Sequence, residues 1–147
     1  MEYEKQNAEK ITDEPLAVTV IAMENLEDAS AALIDLSEKN KSLSCDLALS
    51  ILNECKGDVF FQAVAFEVLY CTALPTAVKY IEDNSSKVDV YLLGVMLSSI
   101  TEDSGLLGEN GLIKDAVRYL QQTLLLKNQS DLEKISSIVD WFNSTYY

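Results

Sequence analysis

The 147 residues of this sequence include no histidine. Carboxylates and thiols are therefore the main candidates for catalysis or metal binding. Histidine is the commonest general base and metal ligand, so catalysis of the Ser-His-Asp or Cys-His kind is excluded in its usual form. The three cysteines, Cys45, Cys55 and Cys71, form no Cys-x-x-Cys pair that would indicate a zinc site. Their apolar neighbours predict three reduced thiols that are mostly buried in helices.

The carboxylates do not follow the spacings of known catalytic or cation sites. Three adjacent acidic pairs occur, but neighbouring side chains on a helix point in different directions; the pairs are Glu27-Asp28, Glu82-Asp83 and Glu102-Asp103. No Asp-x-Asp or EF-hand pattern is present, and the three glycines between positions 105 and 111 lack the strand and the Lys-Ser/Thr of a phosphate loop. We therefore predict no enzyme, no catalytic residue, no cofactor and no metal. A carboxylate-only metal enzyme is the alternative, which a thermal shift with divalent cations would detect.

The acidic charge is the remaining functional signal. Twenty-four Asp and Glu stand against eleven Lys and Arg, a net charge of −13, in a composition that is 48% hydrophobic with only five Gly and two Pro. Such a composition predicts an ordered domain with acid on its surface and not a disordered tail. An acidic surface repels nucleic acid and anionic lipid and favours a basic protein partner.

Neither a membrane span nor a secretion signal is expected. The longest apolar stretch, 16–23, is shorter than the ~20 residues that a span requires. The first fourteen residues are polar and charged and have no signal-peptide pattern. We predict a cytoplasmic protein that contacts neither a membrane nor nucleic acid directly.

The elements that must carry these carboxylates are helices, since apolar residues recur at steps of three and four throughout. The pattern predicts an all-α single domain, 1–147, in which 1–12 are a flexible N-terminal segment. About eight helices in antiparallel pairs would form a HEAT-like solenoid, which we favour, or an irregular helical bundle. The expected ranges are about 15–24, 28–38, 43–55, 59–71, 75–83, 87–101, 113–124 and 131–142.

Local signals set several of these boundaries. Gly57 followed by Asp58 is typical of one helix ending and the next beginning. The helix at 59–71 has almost no polar stripe, which predicts the centre of the core. Ser86 with Asp89 and Ser130 with Glu133 resemble capping boxes and predict helix starts near positions 87 and 131.

Acid is concentrated in the sequence between Glu82 and Glu109, where six carboxylates accompany Lys87 alone, an excess of five negative charges. If helices 75–83 and 87–101 pair, three of these carboxylates lie at the connecting turn and three at the opposite edge. Tyrosines near the turn could anchor a partner. The alternative is that Asp89 only caps its helix and the other carboxylates are simply solvated. The candidate partner-binding residues are Glu82, Asp83, Asp89, Tyr91, Glu102, Asp103 and Glu109.

Four segments carry a resemblance to a known family. They are the apolar helix Val59 to Cys71, Leu-Pro-Thr-Ala-Val-Lys-Tyr-Ile at Leu74 to Ile81, Asp-Val-Tyr-Leu-Leu at Asp89 to Leu93, and Val-Asp-Trp-Phe at Val139 to Phe142. In this order they resemble the small all-helical immunity proteins of bacterial contact-dependent growth inhibition systems. The resemblance implies a 1:1 inhibitor without catalytic residues. Such a protein binds the C-terminal domain of its cognate toxin, often a basic RNase or DNase, and covers the active site in the cytoplasm.

Two binding functions follow from the sequence. The leading hypothesis is an immunity protein whose carboxylates bind a cationic nuclease toxin. The alternative is an acidic secretion chaperone or adaptor that binds a basic effector protein. A substantial strand content would favour the alternative, because such chaperones commonly mix strands with helices.

Overall fold

The computed structural model describes residues 13–104 and 110–146, and all regular secondary structure in these ranges is helical. The all-α prediction is confirmed, and the helices pack antiparallel. None of the helices in the described ranges is both long enough and apolar enough to span a membrane. The helices are α1 (13–22), α2 (Leu26–Lys39), α3 (Lys41–Asn53), α4 (Val59–Thr72), α5 (Leu74–Asn84), α6 (Val90–Glu102), α7 (Gly111–Leu126), α8 (Gln129–Glu133) and α9 (Ser136–Tyr146).

The helices group into two compact units, and the division falls between Thr72 and Ala73. The described part of unit 1 contains α1 to α4, and that of unit 2 contains α5 to α9. The expectation of one domain over 1–147 stays a prediction. The flexible segment predicted at 1–12 lies outside the described residues.

Unit 1 is built around α2, α3 and α4, each of which packs against the other two. Six side chains of α4 are buried, including Phe61, Phe66 and Leu69, so this helix supplies much of the core of its unit, as expected. One aromatic ring departs from that expectation. Phe60 is exposed, because it lies about 100° around the helix from Phe61 and so leaves the buried side.

The boundary before α4 is set by the predicted residues. Gly57 has φ of +70°, which an L side chain rarely adopts. Asp58 then caps α4, since its Oδ1 accepts a hydrogen bond of 2.8 Å from the Phe61 backbone N–H. A Cβ at Gly57 would lie 2.7 Å from the Phe61 ring, so both the backbone and the core require glycine here.

In unit 2, α5 packs mainly on α7, while α6 packs mainly on α9. The close approach of α9 to α6 uses Gly94, where a Cβ would lie 3.2 Å from Ile135. The end of α5 is tied to α7 by a buried pair of hydroxyls, with Ser85 Oγ 2.6 Å from Thr123 Oγ1. The pairing of α5 with α6 that the sequence suggested is therefore replaced by partners that are distant in the chain.

Both capping boxes were wrong, because nearer side chains take the capping role. Helix α6 begins at Val90, and Asp89 itself caps it. Helix α8 begins at Gln129, and Asn128 caps it by accepting from the Ser130 backbone N–H at 3.0 Å. Asx side chains cap helices without needing a partner three residues later.

The prediction of mostly buried thiols was also wrong. Cys55 and Cys71 are exposed and Cys45 is partly buried. Cys55 follows the end of α3 with φ of 51°, outside any helix, and Cys71 lies on a solvent-facing side of the last turn of α4. Apolar neighbours in the sequence do not bury a residue at a helix end, where the chain turns away from the core.

Candidate partner-binding surfaces

The last turn of α5 carries two of the predicted contacts, Glu82 and Asp83, and both face a lysine of their own helix. Lys79 Nζ lies 3.5 Å from Glu82 Oε2 and 3.3 Å from Asp83 Oδ1. These carboxylates, Asp83 first, raise the pKa of Lys79. The i, i+3 and i, i+4 spacing makes this triad a local feature of an exposed helix face. Lys79 thus balances one of the two negative charges of this triad.

Asp89 has the structural role that the alternative interpretation gave it. Its Oδ1 accepts a hydrogen bond of 2.8 Å from the Tyr91 backbone N–H and so caps α6. The Tyr91 side chain is exposed beside it. Asp89 is itself exposed. Its carboxylate can therefore contact a partner, but it must do so while it caps α6.

The tertiary structure adds positive charge to the turn between α5 and α6. Lys127, at the end of α7, donates from Nζ to the Val88 carbonyl at 3.2 Å. Lys87 belongs to the same turn, and Lys79 already faces the carboxylates of α5. Three lysines therefore accompany Glu82, Asp83 and Asp89. The turn is close to neutral and does not form the acidic edge that the sequence count suggested.

The other predicted contacts lie at the far end of α6. Glu102 is the exposed last residue of α6, and Asp103 caps its end. Since α6 has thirteen residues, this end is about 20 Å from Asp89. The structure thus separates the predicted contacts into two groups and does not bring them together. The seventh, Glu109, lies outside the described residues.

Asp103 lies close enough to Tyr146 to influence its ionisation. Burial first and the Asp103 charge second raise the pKa of Tyr146. The phenol donates to the Ile100 carbonyl at 2.5 Å and so ties the end of α9 to α6. The aromatic end of the chain therefore has a structural role in unit 2.

Most of the acidic surplus lies in unit 1. Residues 13–72 contain eleven Asp and Glu and three Lys, a net charge of −8. The described residues of unit 2 contain nine Asp and Glu against six Lys and Arg, a net charge of −3. The interpretation of the sequence missed this surplus because it considered only the carboxylates between Glu82 and Glu109, whereas residues 13–38 carry seven Asp and Glu and no Lys or Arg. A charge count for each pair of helices would have found it.

Unit 1 also has an apolar groove between α2 and α4, with a volume of about 530 Å³. Ile34 is 46% exposed and Phe60 is 59% exposed, on opposite sides of the groove. Leu26, Ala31, Phe61 and Val64 complete its apolar lining. We call this surface the α2–α4 groove. The sequence interpretation selected none of its residues, although α2 shows exposed Ala31 and Ile34 on one face at helical spacing.

A second apolar surface lies in unit 2, where a groove of about 560 Å³ runs between α7, α8 and α9. Leu125 is 86% exposed and Leu126, beside it, is 82% exposed. Side-chain amides of Gln121, Gln129 and Asn143 line this groove. We call it the α7–α9 groove. Among the described residues no charged side chain lines this groove itself, but Glu133 and Asp140 line the adjoining pocket, which shares Gln129 and Asn143 with it.

No reactive centre emerges within the described ranges. Among these residues, no three Cys, Asp or Glu converge as metal ligands. Burial and the neighbouring Asp46 raise the pKa of the Cys45 thiol, which works against a reactive thiolate. The described surfaces offer charge complementarity and apolar contact.

The comparisons with known proteins add no relative. No protein-family model, no curated protein and no solved structure matches the chain. The functional argument therefore rests on the surfaces described above and on the resemblance in the sequence.

Proposed function

We propose that this chain is an immunity protein that binds a cognate basic toxin domain, an RNase or DNase, and neutralises it by covering its active site. The single observation that carries the proposal is the carboxylate surplus of unit 1. In its described residues, 13–72, three lysines can balance at most three of eleven carboxylates. Because the carboxylates stand on an ordered helical scaffold, they can meet a cationic surface without first ordering a flexible chain.

Electrostatics gives this partner class a physical basis. A nuclease needs a positive surface to bind phosphates, and a carboxylate-rich surface presents the same sign of charge as its substrate. Complementary potentials accelerate association and disfavour wrongly charged partners. The same surface repels RNA and DNA, so the inhibitor does not itself compete for the nucleic acid. The complex is expected to be 1:1 and to form in the cytoplasm.

The test is co-expression with a toxic basic domain encoded beside this chain. Growth should be rescued, and the purified chain should abolish nuclease activity at one equivalent. Calorimetry should give 1:1 binding, with a dissociation constant that rises at least about tenfold between low and high salt, because salt screens exposed charges. Full nuclease activity at low salt in the presence of excess chain would refute the proposal. A complex that forms without loss of nuclease activity would favour the secretion chaperone or adaptor instead.

A further inference from the structure

The α2–α4 groove combines carboxylates with exposed apolar side chains. Its apolar lining comes from two neighbouring helices, with Ile34 on α2 and Phe60 on α4 as the most exposed members. Exposed apolar side chains that converge in one groove, unlike scattered ones, are typical of binding sites. Two such side chains on adjacent helices can hold one apolar stripe between them.

The rim of the groove is acidic. Glu27 lines it from the first turn of α2, and Asp58 lines it from the N-terminus of α4. Glu38 lies on the same exposed face of α2 as Glu27 and Ile34, since these positions are separated by seven and four residues. Carboxylates therefore stand on either side of Ile34 along the helix.

The cations in the described part of unit 1 do not neutralise this rim. None of the three lysines in residues 13–72 lines the groove. Lys56 is held by Glu54, with Nζ to Oε2 at 2.8 Å, and by the Ser50 hydroxyl. Lys39 and Lys41 flank Asn40 at the turn between α2 and α3. Among the described residues, the lining holds two carboxylates and no Lys or Arg.

We propose that the α2–α4 groove binds a cationic amphipathic helix of the basic partner protein. This rests on the proposed function and assigns its contact surface. The apolar stripe of the partner helix packs between Ile34 and Phe60, and its flanking Lys or Arg side chains meet Glu27 and Glu38. An amphipathic helix fits because its apolar residues recur on one side with charges beside them, the pattern that helix-in-groove recognition uses. Anionic lipid is disfavoured by the same carboxylates.

The test uses the full chain and a fluorescent Leu/Lys peptide of about four helical turns, with leucines on one face and lysines on the other. A peptide with Glu in place of every Lys is the control ligand. The Leu/Lys peptide should bind, and the Leu/Glu peptide should bind at least about tenfold more weakly. Equal binding of the two peptides would overturn the charge argument.

Two matched double variants locate the binding surface. Ile34→Ser with Phe60→Ser removes the apolar anchors of the α2–α4 groove, and Leu125→Ser with Leu126→Ser removes comparable exposed side chains of the α7–α9 groove. Because all four side chains are exposed, both variants should fold, and thermal melting checks this. The first pair should raise the dissociation constant of the Leu/Lys peptide about tenfold or more, and the second should raise it less than about twofold. Equal effects, or a larger effect of the second pair, would overturn the assignment.

Charge variants and chemical shifts provide readouts that do not depend on the apolar substitutions. At low salt, Glu27→Gln with Glu38→Gln should weaken binding of the Leu/Lys peptide. The matched pair in unit 2, Glu133→Gln with Asp140→Asn, should weaken it less. In the unaltered chain, the peptide should perturb the backbone amide signals of α2 and α4. Perturbations confined to unit 2 would overturn the proposal. The unaltered chain could instead form a dimer that Ile34→Ser with Phe60→Ser converts to a monomer. That result would show that a second copy occupies the groove, and it would also overturn the proposal.

Growth rescue separates this inference from the function on which it rests. If the unaltered chain neutralises the toxic domain and Ile34→Ser with Phe60→Ser no longer does so, both hold. If the variant neutralises as well as the unaltered chain, the function stands and the groove assignment fails. If the unaltered chain does not neutralise, the proposed function fails, while the peptide experiments still decide whether the groove takes a cationic helix.

Discussion

Thr123→Val should destabilise unit 2 by breaking its buried hydroxyl pair. Ser85 Oγ and Thr123 Oγ1 lie 2.6 Å apart, and the two residues are only 3% and 4% exposed. Ser85 caps the end of α5, where its backbone N–H donates to Ile81 at 2.9 Å. The pair therefore fixes the turn that follows Glu82 and Asp83 against α7.

The expected magnitude follows from burial. Valine has nearly the shape of threonine, so Thr123→Val keeps the packing and removes the hydroxyl partner of Ser85. A buried hydroxyl that loses its partner costs about 1–3 kcal/mol. At about 2–4 °C per kcal/mol for a chain of this size, the melting temperature should fall by roughly 2–12 °C. Replacing both residues, Ser85→Ala with Thr123→Val, removes both polar groups and should cost less than the two single changes added together.

The assay is denaturant unfolding of the four chains of a double-mutant cycle. Trp141 is the only tryptophan and belongs to unit 2, so its fluorescence follows the unit that contains the pair. The coupling energy between the two positions should be at least about 1 kcal/mol. Thr145→Val is the matched control, because Thr145 is exposed and its hydroxyl donates to the Trp141 carbonyl on its own helix. Strictly additive single effects, or an equal effect of the control, would refute the reasoning.

Three further predictions concern the backbone, the pH dependence and the thiols. Gly57→Ala should lower the free energy of unfolding by at least about 1–2 kcal/mol, since φ is +70° and the new Cβ would meet a buried ring at 2.7 Å; denaturant unfolding measures this. Burial and a nearby carboxylate raise the pKa of Tyr146, so its neutral phenol stabilises the fold below about pH 10, and this contribution is lost as the pH rises through the raised value. Tyr146→Phe should therefore be less stable than the unaltered chain near pH 8 and lose less stability between about pH 10 and 12 in thermal melts. Cys55 and Cys71 are exposed, so a thiol reagent should modify them in the native protein before the partly buried Cys45.

Each of these predictions has an outcome that contradicts it. Unchanged stability of Gly57→Ala would mean that the turn relaxes to accept a side chain. A Tyr146→Phe variant whose alkaline loss of stability equals that of the unaltered chain would remove the phenol as its source. Thiols that all react only after unfolding would contradict the exposure of Cys55 and Cys71.

Much of the fold followed from the sequence because the signals that carried it are local. The spacing of apolar residues identified the helices, and Gly57 and Asp58 marked the start of α4 through backbone geometry and capping within a few residues. The capping boxes failed at α6 and α8, where Asp89 and Asn128 capped the helices alone. Several polar side chains near a helix start can act as its cap. Which of them does so depends on the path of the chain before the helix, and the capping-box motif carries no information about that path.

The candidate surfaces followed from the sequence far less well. Counting charge along the chain found the six carboxylates from Glu82 to Glu109, but Lys127 reaches the same turn from α7, thirty-nine positions after the Val88 carbonyl that it contacts. The α2–α4 groove was overlooked because Phe60 reads as core beside the buried Phe61. Which side of α4 faces another helix depends on how α2 and α3 pack against it.

The sequence by itself determined that this protein is helical, acidic and without histidine chemistry, since composition and helical period are properties of neighbouring residues. Where the acid acts together with apolar surface depends on how the helices pack. The tertiary structure paired α5 with α7 and α6 with α9, brought a lysine to the predicted acidic turn, and opened an acid-rimmed groove between α2 and α4. Charges and exposed faces combine through space, and contacts between helices far apart in the chain fix which of them meet.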